Sequence, residues 1–327
     1  MKKALPILLL GVLSMLFAEV FSGASTLWFL NLWGLLLTLP LYLGHALFFF
    51  NVAVRTNRTS IRQLYFFGMM FGLYEALITK VLWFGYPGST GSMVGSFLGV
   101  AWGEFLTLVL FWHPVMSFLV PVLVYEVLSK DIIPGHERLV QKNRITLVGV
   151  AILIVTGAVF QSNGAKYNVL VSVGSVAGTL LIVMLLHYLT PDKTRQSLVL
   201  GKKGMMLLVV YLVALYGTTT AFILPERLPR TVLPYVLIFL WYVLAIGLLW
   251  VDRFTPKSRI VTPTVFSVRD VSVSAIIVIG ATALFSEIPQ VSYAILLVFF
   301  IALMGVGVTL FFGNMYYLIK QKIFTKI

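Results

Sequence analysis

Ten runs of predominantly apolar residues, each long enough to approach the thickness of a bilayer, divide this chain. They cover roughly 4–21, 29–53, 63–86, 97–128, 145–161, 167–189, 205–224, 231–251, 271–287 and 291–318. A hydrocarbon core about 30 Å thick takes about 20 such residues in a helix. Water is absent there, so every backbone N–H and C=O must bond inside its own helix or inside a closed barrel. A barrel would alternate apolar and polar residues in segments of about ten, whereas these runs are apolar all round. The chain therefore reads as all-α, a polytopic transmembrane helix bundle of about ten spans. Composition agrees: 11% of the 327 residues are charged and 60% are hydrophobic, against roughly 25% charged in a soluble domain.

Charge placement orients the bundle. Lys and Arg concentrate at the amino terminus (Lys2, Lys3), in the even-numbered loops and in the carboxyl tail (Lys320, Lys322, Lys326). The even loops carry Arg55, Arg58 and Arg62; Lys130, Arg138, Lys142 and Arg144; Lys193, Arg195, Lys202 and Lys203; and Arg253, Lys257, Arg259 and Arg269. The odd loops hold only Lys166, Arg227 and Arg230, and Lys80 falls within a span. Cationic loops resist translocation, so the rich side faces the cytoplasm. Both termini are expected there, in a multi-pass protein of the cell membrane. The net charge of +13 follows from this topology and favours anionic lipid headgroups. No clustered basic patch with interleaved aromatics points to nucleic acid.

Lys2-Lys3 followed by an apolar stretch has the outline of a signal peptide, but Glu19 and the lack of a small-x-small cleavage site favour a retained first helix. Cysteine is absent, which excludes disulfides and thiolate chemistry. Asn57-Arg58-Thr59 matches a glycosylation acceptor but falls in an expected cytoplasmic loop.

The polar residues are distributed unevenly. Residues 1–128 form a four-span bundle holding Glu19, His45, Glu75, Lys80, Glu104, His113 and Glu126. Residues 129–144, with Pro134-Gly135 and mixed charges, read as a cytoplasmic linker. Residues 145–327 form a six-span apolar bundle with a basic tail, its only ionisable groups within spans being His187 and, at an outer end, Glu287. A five-plus-five repeat of the kind found in transporters matches the span count, without a matching motif in the second half.

An ionisable side chain in hydrocarbon costs several kcal/mol unless it faces protein or water, and so marks a candidate site. Glu19, Lys80 and Glu104 fall within about 10 Å of the outer surface at 1.5 Å per residue. His45, Glu75 and His113 fall near the midplane. Lys80 lies five residues from Glu75, about 140° round a helix, so an acid on another helix, Glu19 or Glu104, is its expected partner. Glu75 would share a face with Gly68, Gly72 and Thr79. His113 precedes Pro114, with Ser117 a turn on and Pro121 beyond; such prolines bend membrane helices beside cavities. Two histidines and a carboxylate can ligate metal, but no His-Glu-x-x-His spacing is present, and no metal or cofactor is expected. The outward loop Pro87-Gly88-Ser89-Thr90-Gly91-Ser92 lacks the lysine of a phosphate loop.

The pattern Glu19-Val20-Phe21-Ser22-Gly23, then Tyr74-Glu75 with Lys80, then His113 with Ser117, Pro121 and Glu126 resembles an uncharacterised group of prokaryotic polytopic membrane proteins. That resemblance covers the front of the chain and implies no activity. Glu75, Ala76 and Lys80 followed by His113 also resemble, in part, the CAAX-processing and bacteriocin-processing intramembrane proteases, which carry Glu-Glu-x-x-x-Arg and then a histidine. Ala76 replaces the second acid, Lys80 the arginine and Val109 a phenylalanine, and no later His-x-x-x-Asn occurs. That likeness implies Glu75 as the base activating water and His113 as its partner.

The leading functional expectation is transport of a small solute or ion, with proton coupling, through a polar site in the outer half of the bilayer. An intramembrane hydrolase using Glu75 and His113, and a non-catalytic subunit or assembly factor with a protein partner, are the alternatives.

Overall fold

The computed structural model describes residues 3–86, 89, 91–251 and 265–324. Lys2, Pro87, Gly88, Thr90, Arg253, Lys257, Arg259 and Lys326, which entered the charge and loop readings, lie outside the described residues. Each of the ten apolar runs contains a helix. They form α1 (Ala4–Val20), α2 (Gly34–Arg55), α3 (Ile61–Gly72), α4 (Trp102–Ser129), α5 (Arg144–Gly164), α6 (Val169–Leu189), α7 (Lys202–Phe222), α8 (Leu233–Val251), α9 (Val268–Glu287) and α10 (Pro289–Phe324). Eight of these, α2 and α4 to α10, are long and apolar enough to cross a membrane. The remaining two are shorter: α1 has the composition without the length, and α3 ends at Gly72 in a run that continues only as short turns to Phe84.

Polar residues at the run boundaries set where helices begin. Asn143 accepts from the backbone N–H groups of Ile145 and Thr146, while Thr146 returns a bond to its N–H, closing a capping box for α5. Ser60 with Gln63 does the same for α3, and Ser267 with Asp270 for α9. These caps satisfy donors that a helix start leaves open.

The chain packs as two compact units. One comprises residues 1–47, 119–200 and 256–300; the other comprises 48–118, 201–255 and 301–327. Each unit draws on both the ionisable front and the apolar back of the sequence. In the first unit α9 lies against α5 and α6, and α1 against α6. Small residues let these backbones approach: a Cβ on Gly164 would fall 2.3 Å from the Gly23 carbonyl oxygen. Polar bonds add to the packing, as where Trp28 Nε1 donates to Thr179 Oγ1 at 2.9 Å and Ser162 Oγ to the Thr282 carbonyl at 3.1 Å.

In the second unit Gly68 and Gly72 bring α3 against α4. A Cβ on Gly68 would lie 2.6 Å from Pro114 Cα, and one on Gly72 would lie 3.0 Å from His113 Cβ. The Tyr65 hydroxyl donates to the Leu110 carbonyl at 2.7 Å, taking up one acceptor in an irregular stretch of α4. Phe105, Trp241 and Phe311 form a ring cluster with centroids 4.8 and 5.4 Å apart. A two-residue hairpin, Ser96–Phe97 with Val100–Ala101, turns through Leu98 and Gly99, both at positive φ, as a type I′ turn requires.

Large apolar side chains on the later helices point outward: Ile145, Leu170 and Tyr188 are each more than 80% exposed. Such exposure on a soluble protein would mark an interface. Spread over helices of spanning length, it marks lipid contact. The chain is a multi-pass α-helical membrane protein.

Candidate functional site

Three of the six candidate residues sit where the helix is not α. Glu19 lies in a π-helical turn, Leu16–Val20, that ends α1. Glu75 lies in a 3-10 turn, Leu73–Ala76, directly after α3. His113 lies in a π-helical stretch, Leu108–Leu119, inside α4 that contains Pro114. Proline has no N–H to give and its ring crowds the preceding turn, so the helix there widens. Irregular turns inside membrane helices leave backbone groups open and recur at functional sites and hinges.

The second unit joins Glu75 to His113. His113 Nε2 is 3.2 Å from Glu75 Oε1, and His113 Nδ1 is 2.8 Å from Ser117 Oγ. Thr79 donates its hydroxyl to Glu75, to the main-chain carbonyl at 2.9 Å and also to the carboxylate. Phe71 and Tyr74 pack on the imidazole, with centroids 5.6 and 5.1 Å away. Glu75 is 7% exposed and His113 1%. The result is a carboxylate and an imidazole held against each other, with a hydroxyl at either end of the chain of contacts. Such a pair accepts or releases one proton without either group losing its partner.

Lys80 is placed differently from the expectation of an acidic partner. The span read as continuous over 63–86 breaks after the 3-10 turn, and Lys80 adopts the left-handed conformation, φ 60°. Its fully buried side chain donates to the Thr219 carbonyl at 2.7 Å and to that of Ile223. It therefore caps the carboxyl end of α7, where unbonded carbonyls and the negative end of the helix dipole favour a cation. Glu104 is engaged elsewhere: its carboxylate accepts from the Met93 N–H at 2.8 Å and from Ser92 Oγ at 3.0 Å. It fastens the loop that precedes the hairpin.

In the first unit Glu19 accepts hydrogen bonds from Tyr42 and Ser25, each at 2.5 Å. His45 is buried, with Nδ1 2.8 Å from the Leu41 carbonyl of its own helix. A further buried pair was not singled out from the sequence. His136 Nδ1 stands 2.7 Å from Glu126 Oε1, both groups almost fully enclosed. His136 falls in the 129–144 linker, directly after Pro134-Gly135. The signal for it was Glu126, an acid at a helix end in need of a partner.

A family model described as an uncharacterised membrane protein family matches residues 8–325. The chain belongs to that family. An uncharacterised protein of Archaeoglobus fulgidus is 42% identical over 128 residues, which is 38% of this chain and 38% of that relative. The matched region thus spans well under half the length of either protein. No solved structure matches. The family assignment agrees with the resemblance to uncharacterised polytopic membrane proteins and leaves the activity to be argued from the site.

Proposed function

We propose that this protein carries a small solute or ion across the cell membrane, coupled to a proton held by Glu75 and His113. The observation that carries this reading is the 3.2 Å contact between the two side chains, made by the two interrupted stretches of one packing unit. Non-helical backbone at membrane depth is tolerated where protein encloses it or a water-filled path adjoins it, and broken helices are a recurrent means of building transporter sites. An enclosed acid–base pair on such a break can store a charge whose presence changes how the two stretches pack. Lys80 and Glu104 then serve as fixed points, the first on the end of α7 and the second on the loop before the hairpin.

Purified protein in proteoliposomes tests this by electrical recording on a supported membrane. A panel of amino acids, sugars, carboxylates and inorganic ions is applied at several pH values. A pH-dependent transport current for at least one class is expected, with Glu75→Gln abolishing it at an unchanged amount of folded protein. Equal currents in wild type and Glu75→Gln, or none across the panel, would overturn the reading.

The same contact also favours a second reading. A carboxylate within hydrogen-bond reach of an imidazole is the arrangement a general base needs, as in the partial likeness to intramembrane proteases. Mass spectrometry of the panel after incubation separates the two: chemical change in a solute means an enzyme, and unchanged solute on both sides of the membrane means a carrier.

A further inference from the structure

An apolar cavity lies in the first unit, its lining apolar apart from Ser274 and the carboxylate of Asp270. Its volume is about 190 Å³, and Leu13, Phe17, Leu123, Ile154, Val183 and Ala275 are among the side chains that line it. Helices α1, α4, α5, α6 and α9 all contribute, with the short helical turn Glu137–Val140. Along α9 it runs from Asp270 to Val278, about 12 Å at 1.5 Å rise per residue. That is most of the depth of one leaflet of a hydrocarbon core about 30 Å thick. A cavity lined this way excludes water and takes apolar guests. An occupant restores the dispersion contacts that the lining atoms otherwise lack.

Charge at the rim says which guest. Lys142 Nζ donates to Asp270 Oδ1 at 2.6 Å and remains 41% exposed. Arg269 adjoins Asp270, Arg144 opens α5 two residues after Lys142, and Arg138 precedes the lining residue Leu139; all three are exposed. Against these four cations stand the carboxylates of Asp270 and Glu137. A membrane-depth cavity with a cationic rim fits one acyl chain inside and an anionic headgroup outside.

From this combination we infer that the cavity is a binding site for an anionic phospholipid, with one acyl chain between α1 and α9 and the phosphate at Lys142, Arg144 and Arg269. This site is independent of the Glu75–His113 pair and of the transport reading. Dioleoylphosphatidylglycerol and dioleoylphosphatidylcholine, added separately to the full chain in detergent and followed by native mass spectrometry, are the probes. The wild type should retain phosphatidylglycerol at a concentration about tenfold lower than phosphatidylcholine, the ratio that about 1.4 kcal/mol gives. Ala275→Trp, which fills the cavity, should remove that retention while the melting temperature holds. Lys142→Ala with Arg144→Ala and Arg269→Ala should bring phosphatidylglycerol down to the level of phosphatidylcholine. Equal retention of both lipids by the wild type, or undiminished phosphatidylglycerol binding by a folded Ala275→Trp, would overturn the site. Should Ala275→Trp fail to fold, phosphatidylglycerol with brominated chains gives an independent readout in a structure of the wild type. Bromine density between Phe17 and Val278 supports the site, and bromine density confined to the outer surface of the helices refutes it.

Discussion

At the scale of single residues, the ionisable groups were legible because they interrupt apolar runs, but their partners were not. Glu75 and His113 announce themselves in the sequence. That they meet depends on the rotation of α4 about its widened stretch, which no residue spacing states. Lys80 shows the limit most clearly. Its partners are main-chain carbonyls at the end of α7, and carbonyls leave no mark in a sequence. Removing the ammonium should therefore damage the fold more than the chemistry. Lys80→Met keeps the length of the side chain but takes the donor from the Ile223 carbonyl and leaves the Thr219 carbonyl only the Ile223 N–H, and an acceptor left open costs about 1–3 kcal/mol. A clear fall in the thermal midpoint of the detergent-purified protein is expected, and an unchanged midpoint would show that water or another donor satisfies those carbonyls.

Elements were the most legible level. Runs of apolar residues of spanning length admit little but helix, and each of the ten runs contains one, eight of them of spanning length among the described residues. Pro114 signalled the irregular stretch in α4. The break at Lys80 had no such signal, since no Gly or Pro falls between Gly72 and Gly85 and a left-handed lysine costs roughly 1–2 kcal/mol that the bonds to α7 offset. The four-residue glycine spacing, common to any membrane bundle, takes on specific meaning at Gly68 and Gly72. A side chain on Gly68 would collide with the backbone of Pro114, which cannot swing aside. Gly68→Val should destabilise by at least about 1–3 kcal/mol and displace Glu75 from His113. Gly149→Ala on α5, where nothing lies within 4 Å of the added carbon, should be neutral or slightly stabilising, because alanine is the better helix former. Comparing the two variants by thermal unfolding separates tight packing from a general dislike of substitution; similar midpoints for both would contradict it.

For the whole molecule, the membrane character was plain in the composition, and the interleaved packing was not. Positions facing lipid and positions facing protein are both apolar in a bilayer, so a pattern of residues does not say which runs pack together. The chemical division at residues 129–144 and the packing division into two discontinuous units answer different questions. The charge alternation does make a direct claim about sidedness. With no native cysteine, single replacements report it cleanly. Lys166→Cys should react with an impermeant maleimide in intact cells, and Lys203→Cys only after permeabilisation; the reverse pattern would invert the topology. The proposed proton exchange at Glu75 and His113 is tested most directly by pH-dependent infrared difference spectra of the protein in lipid. A carboxyl band that rises and falls with pH in the wild type, and is missing from Glu75→Gln, is the predicted result. An identical set of carboxyl bands in the two proteins would contradict a proton exchanging at Glu75 and His113.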